Sequence, residues 1–447
     1  MTAAASRVLR WGFNLGASAV LFYFGASLCA RGINLSDEGY LLSQAVDMLG
    51  GKVLYRDMDA FVTPGVWFVL ANLFRILDPS VFATRFVALA AWLGMALLTF
   101  RIVRHLTPRI WAWGAVGLYA VLSVWAFPAW TIVFYSSFSI LFVLAATDLL
   151  LCWRRSQRPM LLVLCGIAIG LSVAFKQNYG AFALAGCAFG VLAIRLETSE
   201  RSGGLLPLVF GDGLRLAAGV AAAIAPFLVY FGLHGALDEM FDLLVVHPFS
   251  RFAGRQDIAF PALSLLWADS PLKGVEGMTY GSYWLAQAPH PFNSAALSWL
   301  HGASVLRRVH VLLFWLPAFG LATGLWLALR PLPERRPIDG GLAALLAIAA
   351  FVFLGVFPRA DFNHLINVYE PTLVAGTVLV HRLVERLPGR RPGALHLGLA
   401  FGAVFLALVT GVAATWFVHG YRNLNKRLTI PRAGLLVSSF QKEVVEF

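Results

Sequence analysis

The chain has 447 residues, of which 59% are hydrophobic, and its mean hydropathy is +0.74. Because a soluble globular domain is nearer half apolar, this composition excludes an ordinary soluble protein and indicates a polytopic helical membrane protein. The net charge of +12 does not indicate nucleic-acid binding, since the basic residues cluster in short segments between apolar runs. That distribution is typical of cytoplasmic loops, where such residues can also contact anionic lipid head groups.

Apolar runs near the ~20 residues needed to cross a bilayer recur along the chain. The predicted spans are residues 9–30, 82–100, 110–130, 131–153, 160–175, 179–194, 216–235, 311–329, 342–357, 371–384 and 395–418. The first run is too long for the apolar core of a signal peptide, so we expect an uncleaved helix. These eleven spans place the N-terminus inside and the C-terminal tail outside.

One further apolar run, residues 66–77, is short and is interrupted by Arg75 and Asp78. If this run crossed the membrane, the basic residues between Arg101 and Arg109 would lie outside, against the positive-inside bias. We therefore expect residues 66–77 to form an amphipathic helix on the outer surface or half inserted into it.

The polar stretch after the first span carries two adjacent acids, Asp37 and Glu38. Such a pair at the mouth of a membrane helix is costly near lipid, which indicates a function. The alternative is that this stretch is a solvated loop and that its acids only cap a short helix, since Ser36 and Asp37 are good N-cap residues. Tyr55 and Asp57 follow in the same stretch.

The motif Asp-Glu-x-Tyr at residues 37–40, the motif Gly-x-x-Leu-Tyr-x-Asp at residues 51–57 and a proline before the next helix resemble the first loop of the GT-C glycosyltransferases. They are most similar to the bacterial glycosyltransferase family 39 group, which includes aminoarabinose transferases and protein mannosyltransferases. The resemblance implies an all-α GT-C fold with juxtamembrane helices in two outer loops, in a bacterial inner membrane, with the site on the periplasmic face. It implies sugar transfer from a polyprenyl-phosphate donor to a hydroxyl of an envelope glycan, glycolipid or protein.

The expected organisation follows from the two long polar segments. Residues 1–235 form a GT-C-like catalytic transmembrane module whose first outer loop is residues 31–64. Residues 236–309 form a large outer loop rich in aromatic residues, which predicts interfacial helices. Residues 310–418 supply the C-terminal transmembrane helices, and residues 419–447 form an outer tail.

The resemblance maps the catalytic aspartate of the family onto Asp37, and Glu38 is its neighbour in the same motif. A carboxylate can accept the proton of the acceptor hydroxyl during a direct displacement at the anomeric carbon. One displacement inverts the anomeric configuration. The residues expected to bind other parts of the substrates are Tyr40, Tyr55, Asp57, Gln177 and Asp361.

Three residues are expected to bind the donor phosphate: Lys176 in the turn between two spans, and Arg359 and His364 in the segment 358–364. Cations there would meet the negative charge that builds on the leaving oxygen. The alternatives are that Lys176 snorkels to the interface and that Arg359 pairs internally with Asp361. These assignments predict that both outer loops and the Arg359 turn enclose one cavity.

The resemblance has departures. The turn at residues 130–137 offers only Tyr135, Ser136 and Ser137 where aminoarabinose transferases carry a further acid. We also do not expect the large soluble C-terminal domain of several relatives. The lipid A or protein acceptors of those relatives are therefore not assumed. Asp37 and Glu38 could hold a divalent ion through oxygen ligands, but no further ligands are evident, so no metal or other cofactor is predicted.

Other functions remain open at this point. A flippase or transporter for a lipid-linked glycan would need buried charge near the bilayer midplane and broken helices there. A polysaccharide polymerase or ligase is also polytopic with a large outer loop, but lacks the Asp-Glu pair in the first loop. A non-catalytic subunit of an envelope complex is the third alternative.

Overall fold

The structure is a computed structural model that describes residues 3–198, 205–248, 250, 257–268, 272, 274–284, 303–329, 339–385, 394–430 and 432–446. Its helices are α1 (Ala3–Cys29), α2 (Asp37–Leu49), α3 (Gly65–Leu77), α4 (Val81–Leu106), α5 (Arg109–Trp125), α6 (Tyr135–Ser156), α7 (Pro159–Phe175), α8 (Gln177–Thr198), α9 (Leu205–Leu233), α10 (Leu237–Phe241), α11 (Gly274–Tyr280), α12 (Ala303–Leu329), α13 (Gly340–Phe353), α14 (Phe362–Asn367), α15 (Tyr369–Glu385), α16 (Ala394–Asn423) and α17 (Ser439–Glu446). Short turns of π-helix at Asp242–Val246 and of 3-10 helix at Leu263–Leu266 and Leu354–Val356 add to these, and strands β1 (Lys426–Arg427) and β2 (Leu436–Val437) pair antiparallel.

Among the described residues, seven helices are long and apolar enough to cross a membrane: α1, α4, α6, α8, α9, α12 and α16. Helices α5, α7, α13 and α15 occupy the other four predicted spans, with 17, 17, 14 and 17 residues. At 1.5 Å per residue a 17-residue helix reaches about 25 Å, short of the ~30 Å hydrocarbon core. The chain is thus a multi-pass membrane protein with the predicted order of helices, whereas the count of eleven crossings stays a prediction.

The helix connections gather at two opposite ends of the bundle. At the end that carries Asp37, Arg85 near the start of α4 donates to the main-chain oxygen of Thr131, over 3.2 Å. Lys176, which follows α7, donates to the hydroxyl of Ser136 at the start of α6, over 3.0 Å. We call this the Asp37 end.

The opposite end holds the basic residues of the short connections. Arg101 of α4 pairs with Asp148 of α6 over 2.8 Å. Arg154 at the end of α6 pairs with Glu197 over 2.5 Å and with Asp339 over 3.4 Å. The basic residues of the α4 end and of the downstream connections therefore share one end of the bundle, as predicted. We call it the basic end.

Helix α3 begins and ends at the Asp37 end. The Thr63 hydroxyl, just before α3, donates to the main-chain oxygen of Val173 near the end of α7, over 2.5 Å. Just after α3, Asp78 pairs with Arg432 of the C-terminal tail over 3.3 Å. With Trp67 fully buried, α3 lies along one end of the bundle and does not cross it, in agreement with the prediction for residues 66–77.

The predicted boundary between residues 110–130 and 131–153 is wrong. Helix α5 ends at Trp125 and α6 begins at Tyr135, so residues 126–134 form a non-helical segment. The cause is Pro128, because proline has no N–H to donate and disfavours helical backbone at the residue before it. This 126–134 segment is mostly buried and forms a wall of the candidate site.

The C-terminal tail pairs with the chain just before Asp37. Helix α16 continues to Asn423, beyond the predicted end of the span at residue 418. The β1–β2 hairpin that follows α16 contacts the residues just after α1. Gly32 N donates to Leu436 O over 2.9 Å, and Leu436 N donates to Ala30 O over 3.0 Å. The C-terminal tail therefore holds the start of the first loop through main-chain hydrogen bonds.

Candidate active site

Asp37 is the first residue of α2, and Asn34 caps this helix instead of Ser36. The Asn34 Oδ1 accepts the Asp37 main-chain N–H over 3.1 Å and the Ser36 hydroxyl over 2.9 Å. The Asn34 Nδ2 donates to Asp37 Oδ2 over 3.0 Å. The Ser36 side chain makes no capping hydrogen bond, in contrast to the alternative interpretation of this segment. The half-buried Asp37 carboxylate is oriented by an amide at a helix N-terminus, where negative charge is favoured.

Glu38 is buried and paired. It is 2% exposed, and its Oε2 accepts a hydrogen bond from Arg85, itself 4% exposed, over 2.8 Å. Arg85 also donates to the main-chain oxygens of Gly32 and Thr131. Burial raises the pKa of the Glu38 carboxyl, and the Arg85 charge opposes that shift. Glu38 thus ties α2 to α4, and its catalytic role stays a prediction.

A cavity of about 200 Å³ lies beside Asp37. Four segments of the Asp37 end enclose it: the first loop, the 126–134 segment, the second long loop and the α14 segment. Their contributions include Asn34, Asp37, Phe127, Phe134, Tyr283 and Asn363. Both long loops therefore share one cavity with the α14 segment, whereas Arg359 itself is not among the lining residues, so the predicted place of Arg359 at this cavity stays a prediction.

Lys176 is a buried amine at the Asp37 end. It is 8% exposed, and its Nζ lies 3.0 Å from the Ser136 hydroxyl, 3.9 Å from the ring centroid of Tyr179 and 5.4 Å from that of Tyr135. Burial lowers the pKa of Lys176 to about 7, although the charge of Asp361 opposes the shift. Among the ion pairs of the described residues, none includes Lys176. An amine held inside by aromatic faces is suited to receive an anion.

Arg359 and His364 surround Asp361 at the start of α14. The Arg359 Nε lies 2.8 Å from Asp361 Oδ2, and His364 places its Nδ1 and its main-chain N 2.8 Å from Asp361 Oδ1. Burial alone would raise the pKa of Asp361, but the hydrogen bonds from His364 and Arg359 lower it overall. Ile258 of the second long loop fixes the segment by pairing its main chain with residues 358 and 360. The internal Arg359–Asp361 pair is therefore present.

Tyr135 lies near both Lys176 and the cluster of Arg359, Asp361 and His364. Its hydroxyl lies within electrostatic range of Asp37, Arg359 and Asp361, and Lys176 lies over its ring. Of the predicted phosphate-binding cations, Lys176 therefore contacts Tyr135, while Asp37 and Arg359 act on its hydroxyl through their charges. Sequence reasoning named Tyr135 only as a departure from the family pattern. Its place in the one polar turn between two apolar runs was the available signal.

Four of the predicted substrate-binding residues instead hydrogen-bond to the main chain of the first loop. The pairs are Tyr40 with Asp59, Tyr55 with Val62, Asp57 with Val53 and Gln177 with Phe61. Tyr55 is 3% exposed and packs on Phe231 at 5.1 Å. The hydrogen bond from Arg56 lowers the pKa of Asp57 to about 2. These contacts shape the first loop, and a direct role of the four residues in binding stays a prediction.

An apolar groove of about 560 Å³ runs between α5, α12, α13, α15 and α16. Leu122 lines the groove and Trp125 lines the cavity beside Asp37, so the two spaces are one turn of α5 apart. The apolar lining of the groove therefore begins about one helical turn from the lining of the cavity beside Asp37.

Sequence reasoning missed a buried acid, Glu370, at the start of α15. It is fully buried and accepts a hydrogen bond from Thr99 in the middle of α4. The residue escaped notice because it stands immediately before the apolar run 371–384. One ionisable group is thus buried well inside the bundle, where polar groups are costly and usually functional.

A group at the basic end has the spacing of metal ligands. The ligand atoms of His105, Asp148 and Cys152 lie within 4.8 Å of one another. However, the guanidinium of Arg101 already binds both oxygens of Asp148. Its positive charge opposes a cation at the same carboxylate.

No family model matches this chain, and no curated protein matches its sequence. Solved structures do match. The oligosaccharyltransferase of Archaeoglobus fulgidus, tethered to an acceptor peptide with an NVT sequon, aligns with TM-score 0.50 and 11% identity over 92% of this chain and 55% of that chain. ArnT from Cupriavidus metallidurans, bound to undecaprenyl phosphate, aligns with TM-score 0.49 and 16% identity over 92% of this chain and 76% of that chain. This chain spans just over half the length of the archaeal enzyme, and the likeness confirms the predicted fold.

Proposed function

We propose, on the premise of its GT-C fold, that this protein is a membrane glycosyltransferase. It moves a sugar from a polyprenyl-phosphate donor to the hydroxyl of an acceptor, with inversion, at an Asp37 end that faces the outside of a bacterial plasma membrane. The observation that carries the proposal is that the Asp37 carboxylate, oriented by Asn34, lines a cavity that the α14 segment also lines, at the end of the bundle that holds the buried cation Lys176, 5.4 Å from the Tyr135 ring centroid, and Arg359 just before α14.

Lys176 and Arg359 bind the donor phosphate in this proposal. A buried ammonium without a carboxylate partner is costly, because burial disfavours its charged form. A phosphate that contacts Lys176 offsets this cost and restores the charge. As the bond to the sugar breaks, negative charge grows on the phosphate oxygen, and cations already in place stabilise it without reorganisation. His364 holds Asp361 and so orients Arg359.

Asp37 is the base. It accepts the proton of the acceptor hydroxyl while the acceptor oxygen forms a bond to the anomeric carbon. The bond from that carbon to the phosphate oxygen breaks, and its electron pair leaves with polyprenyl phosphate. Asn34 holds the carboxylate in place through a 3.0 Å hydrogen bond, which supports a fixed geometry for proton transfer.

Glu38 has a positioning role. Its carboxylate is enclosed by Arg85, so it cannot reach an acceptor in the cavity without breaking a buried ion pair. The pair fixes the first turn of α2 against α4 and the 126–134 segment. Asp37 therefore faces the cavity from a rigid support.

The apolar groove supports a lipid-linked substrate. Its 560 Å³ is within the range of small-molecule sites, which are mostly apolar with a few polar groups. Because the groove adjoins the polar site one turn below Trp125, a substrate with a lipid chain can keep the chain at membrane depth while its head reaches Asp37.

The test is the release of polyprenyl phosphate from polyprenyl-phosphate sugars by the purified protein in detergent. Asp37→Asn keeps the shape and removes the proton acceptor, so turnover should fall by the ~10²–10⁴-fold typical of lost general-base catalysis. Donor binding should persist. The variant for comparison is Glu38→Gln, which removes the partner of the buried Arg85 charge. We expect it to lower the free energy of unfolding by roughly 3–5 kcal/mol, whereas Asp37→Asn should mainly lower turnover.

Two outcomes would contradict the proposal. Near-normal turnover of Asp37→Asn would remove Asp37 as the base. Movement of intact lipid-linked sugar across vesicles without any cleavage would identify the flippase alternative instead, and the buried Glu370 would then be the first residue to examine.

A further inference from the structure

We infer that the cavity beside Asp37 is the acceptor site and that it takes one sugar ring without negative charge. The acceptor is then a hydroxyl of a glycan or glycolipid, not the side chain of a peptide. This inference rests on the proposed function and deepens it by naming the class of acceptor.

The walls of the cavity are aromatic and rigid. Phe127 meets Tyr283 edge-on at 5.3 Å and stacks on Trp284 at 5.1 Å. The indole of Trp284 is fixed by a 2.8 Å hydrogen bond to the main-chain oxygen of Val124. An aromatic face carries partial negative charge and attracts positively polarised hydrogens. The C–H faces of a sugar ring meet that description, so flat rigid rings of this kind suit a sugar.

Three side chains with carboxylate or amide groups line the cavity. Asp37 and Asn34 come from the first loop, and Asn363 comes from α14. A carboxylate accepts hydrogen bonds and an amide both donates and accepts them, which matches hydroxyls that do both. Ligand sites typically combine an apolar wall with a few polar groups that set orientation. A ring with hydroxyls at its edge and C–H groups on its faces fits this arrangement.

The charge of the cavity excludes acidic rings. Among the described residues that line it, Asp37 is charged and no lysine or arginine is present. A uronic acid or a phosphorylated sugar would bring a second negative charge close to Asp37, and no basic side chain among the described lining residues would contact that charge. The site therefore prefers an uncharged ring.

The size of the cavity fits a single ring. Its volume of about 200 Å³ is below the ~300–1,000 Å³ of pockets for drug-sized ligands. Extended peptides are bound largely through main-chain hydrogen bonds along a strand edge or groove, and a small aromatic cavity offers no such edge. One sugar residue at the end of a glycan can enter.

The position of the base assigns the cavity to the acceptor. In a direct displacement the acceptor oxygen and the leaving phosphate lie on opposite sides of the anomeric carbon. Lys176 and Arg359, which mark the phosphate side, do not line the cavity, whereas Asp37 does. The base belongs next to the acceptor oxygen, so the space on its side holds the acceptor.

The inference can be tested without a donor. Saturation-transfer NMR on the purified protein in detergent would compare methyl hexopyranosides, methyl hexuronosides and short peptides that contain Ser, Thr or Asn. Transfer to the neutral glycosides only is the expected result. Transfer to the peptides or the hexuronosides, with none to the neutral glycosides, would overturn the inference.

Variants locate the binding. Tyr283→Leu should weaken glycoside binding roughly tenfold, or ~1.4 kcal/mol, while Tyr283→Phe keeps the ring and the affinity. The matched control is Phe440→Ala, which removes an aromatic ring that is 72% exposed on α17 and should change nothing. Equal binding by Tyr283→Leu and the unaltered protein would show that the glycoside binds elsewhere and overturn the assignment.

Failure of the inference and failure of the proposed function are distinguishable. If polyprenyl-phosphate sugars are cleaved but peptides accept the sugar, the transferase stands and the acceptor class is wrong. If neutral glycosides bind at Tyr283 but no lipid-phosphate sugar is ever cleaved, the sugar site stands and the transferase is wrong.

Discussion

Replacing Lys176 with methionine should stabilise the protein and weaken its binding of polyprenyl phosphate. The reason is that Lys176 is buried and, among the described residues, forms no ion pair, while its Nζ contacts the Ser136 hydroxyl and the ring of Tyr179. Methionine has a similar length and fills irregular apolar space well. A residue kept at a cost in stability is one whose charge serves a ligand.

The magnitude follows from the depressed pKa. A lowering from 10.5 to about 7 disfavours the charged form by about 5 kcal/mol, at ~1.4 kcal/mol per unit. A desolvated cation on an aromatic face recovers about 2 kcal/mol, and the hydrogen bond to Ser136 about 1 kcal/mol. Lys176→Met should therefore gain on the order of 2 kcal/mol in free energy of unfolding.

The gain depends on pH with a definite sign. Between pH 7 and 10.5 the unfolded chain keeps the Lys176 proton and the folded chain does not, so stability rises with pH in that window. The advantage of methionine should be complete below pH 7 and should disappear as the pH approaches 10.5.

The assay is thermal unfolding in detergent at pH 6 and pH 9, with and without polyprenyl phosphate. In the unaltered protein the lipid should raise the unfolding midpoint more at pH 6, where Lys176 is charged. In Lys176→Met the ligand effect should be small at both values, as affinity falls roughly 10–100-fold with the loss of a charged hydrogen bond. Lys52→Met, at an exposed lysine of the first loop, is the control. A Lys176→Met variant that is less stable and binds polyprenyl phosphate normally would refute the reasoning.

Arg359→Ala should weaken donor binding and slow turnover together, because its charge serves both the bound state and the transition state; a change in turnover alone, measured beside donor affinity, would contradict this. A cysteine at Lys52 should react with a membrane-impermeant thiol reagent in intact cells and a cysteine at Pro108 should not, since they lie at opposite ends of the bundle; the reverse pattern would invert the orientation. Gly434→Ala should lower the unfolding midpoint, because Gly434 has φ of +61° and a Cβ there would lie 2.7 Å from Phe82; an unchanged midpoint would show that the hairpin adapts.

The fold class was predictable because it depends on local properties of the chain. An apolar run long enough to cross a bilayer must become a helix, since lipid leaves no other partner for its main-chain polar groups. The bias of basic residues then separates the two ends, and it correctly kept residues 66–77 from being counted as a span. The motif around Asp37 and Glu38 identified the fold for the same reason, since its residues are neighbours in sequence.

The differences from the sequence-based expectations arose where contacts with other parts of the chain, or a break in the backbone, overrode a local sequence rule. Ser36 is a good N-cap by residue type, but the Asn34 amide reaches the same N–H. Tyr55 was named as a binding residue because it follows the family motif; it is buried in the core of the first loop, and its role in binding stays a prediction. The apolar run across residues 110–153 hid the break at Pro128, because hydropathy does not detect a change of backbone direction.

The sequence by itself determined that the chain is a multi-pass helical membrane protein and placed polar residues in the correct connections. Only the tertiary structure decided which of them meet. Glu38 and Arg85, or Tyr135, Lys176 and Asp361, are far apart in the chain and are joined by the packing of α2, α4, α6, α7 and α14. No periodicity or spacing encodes such contacts. They follow from how helices of different lengths pack side by side. That packing buries Glu38 in an ion pair with Arg85 and leaves the neighbouring Asp37 carboxylate facing the cavity.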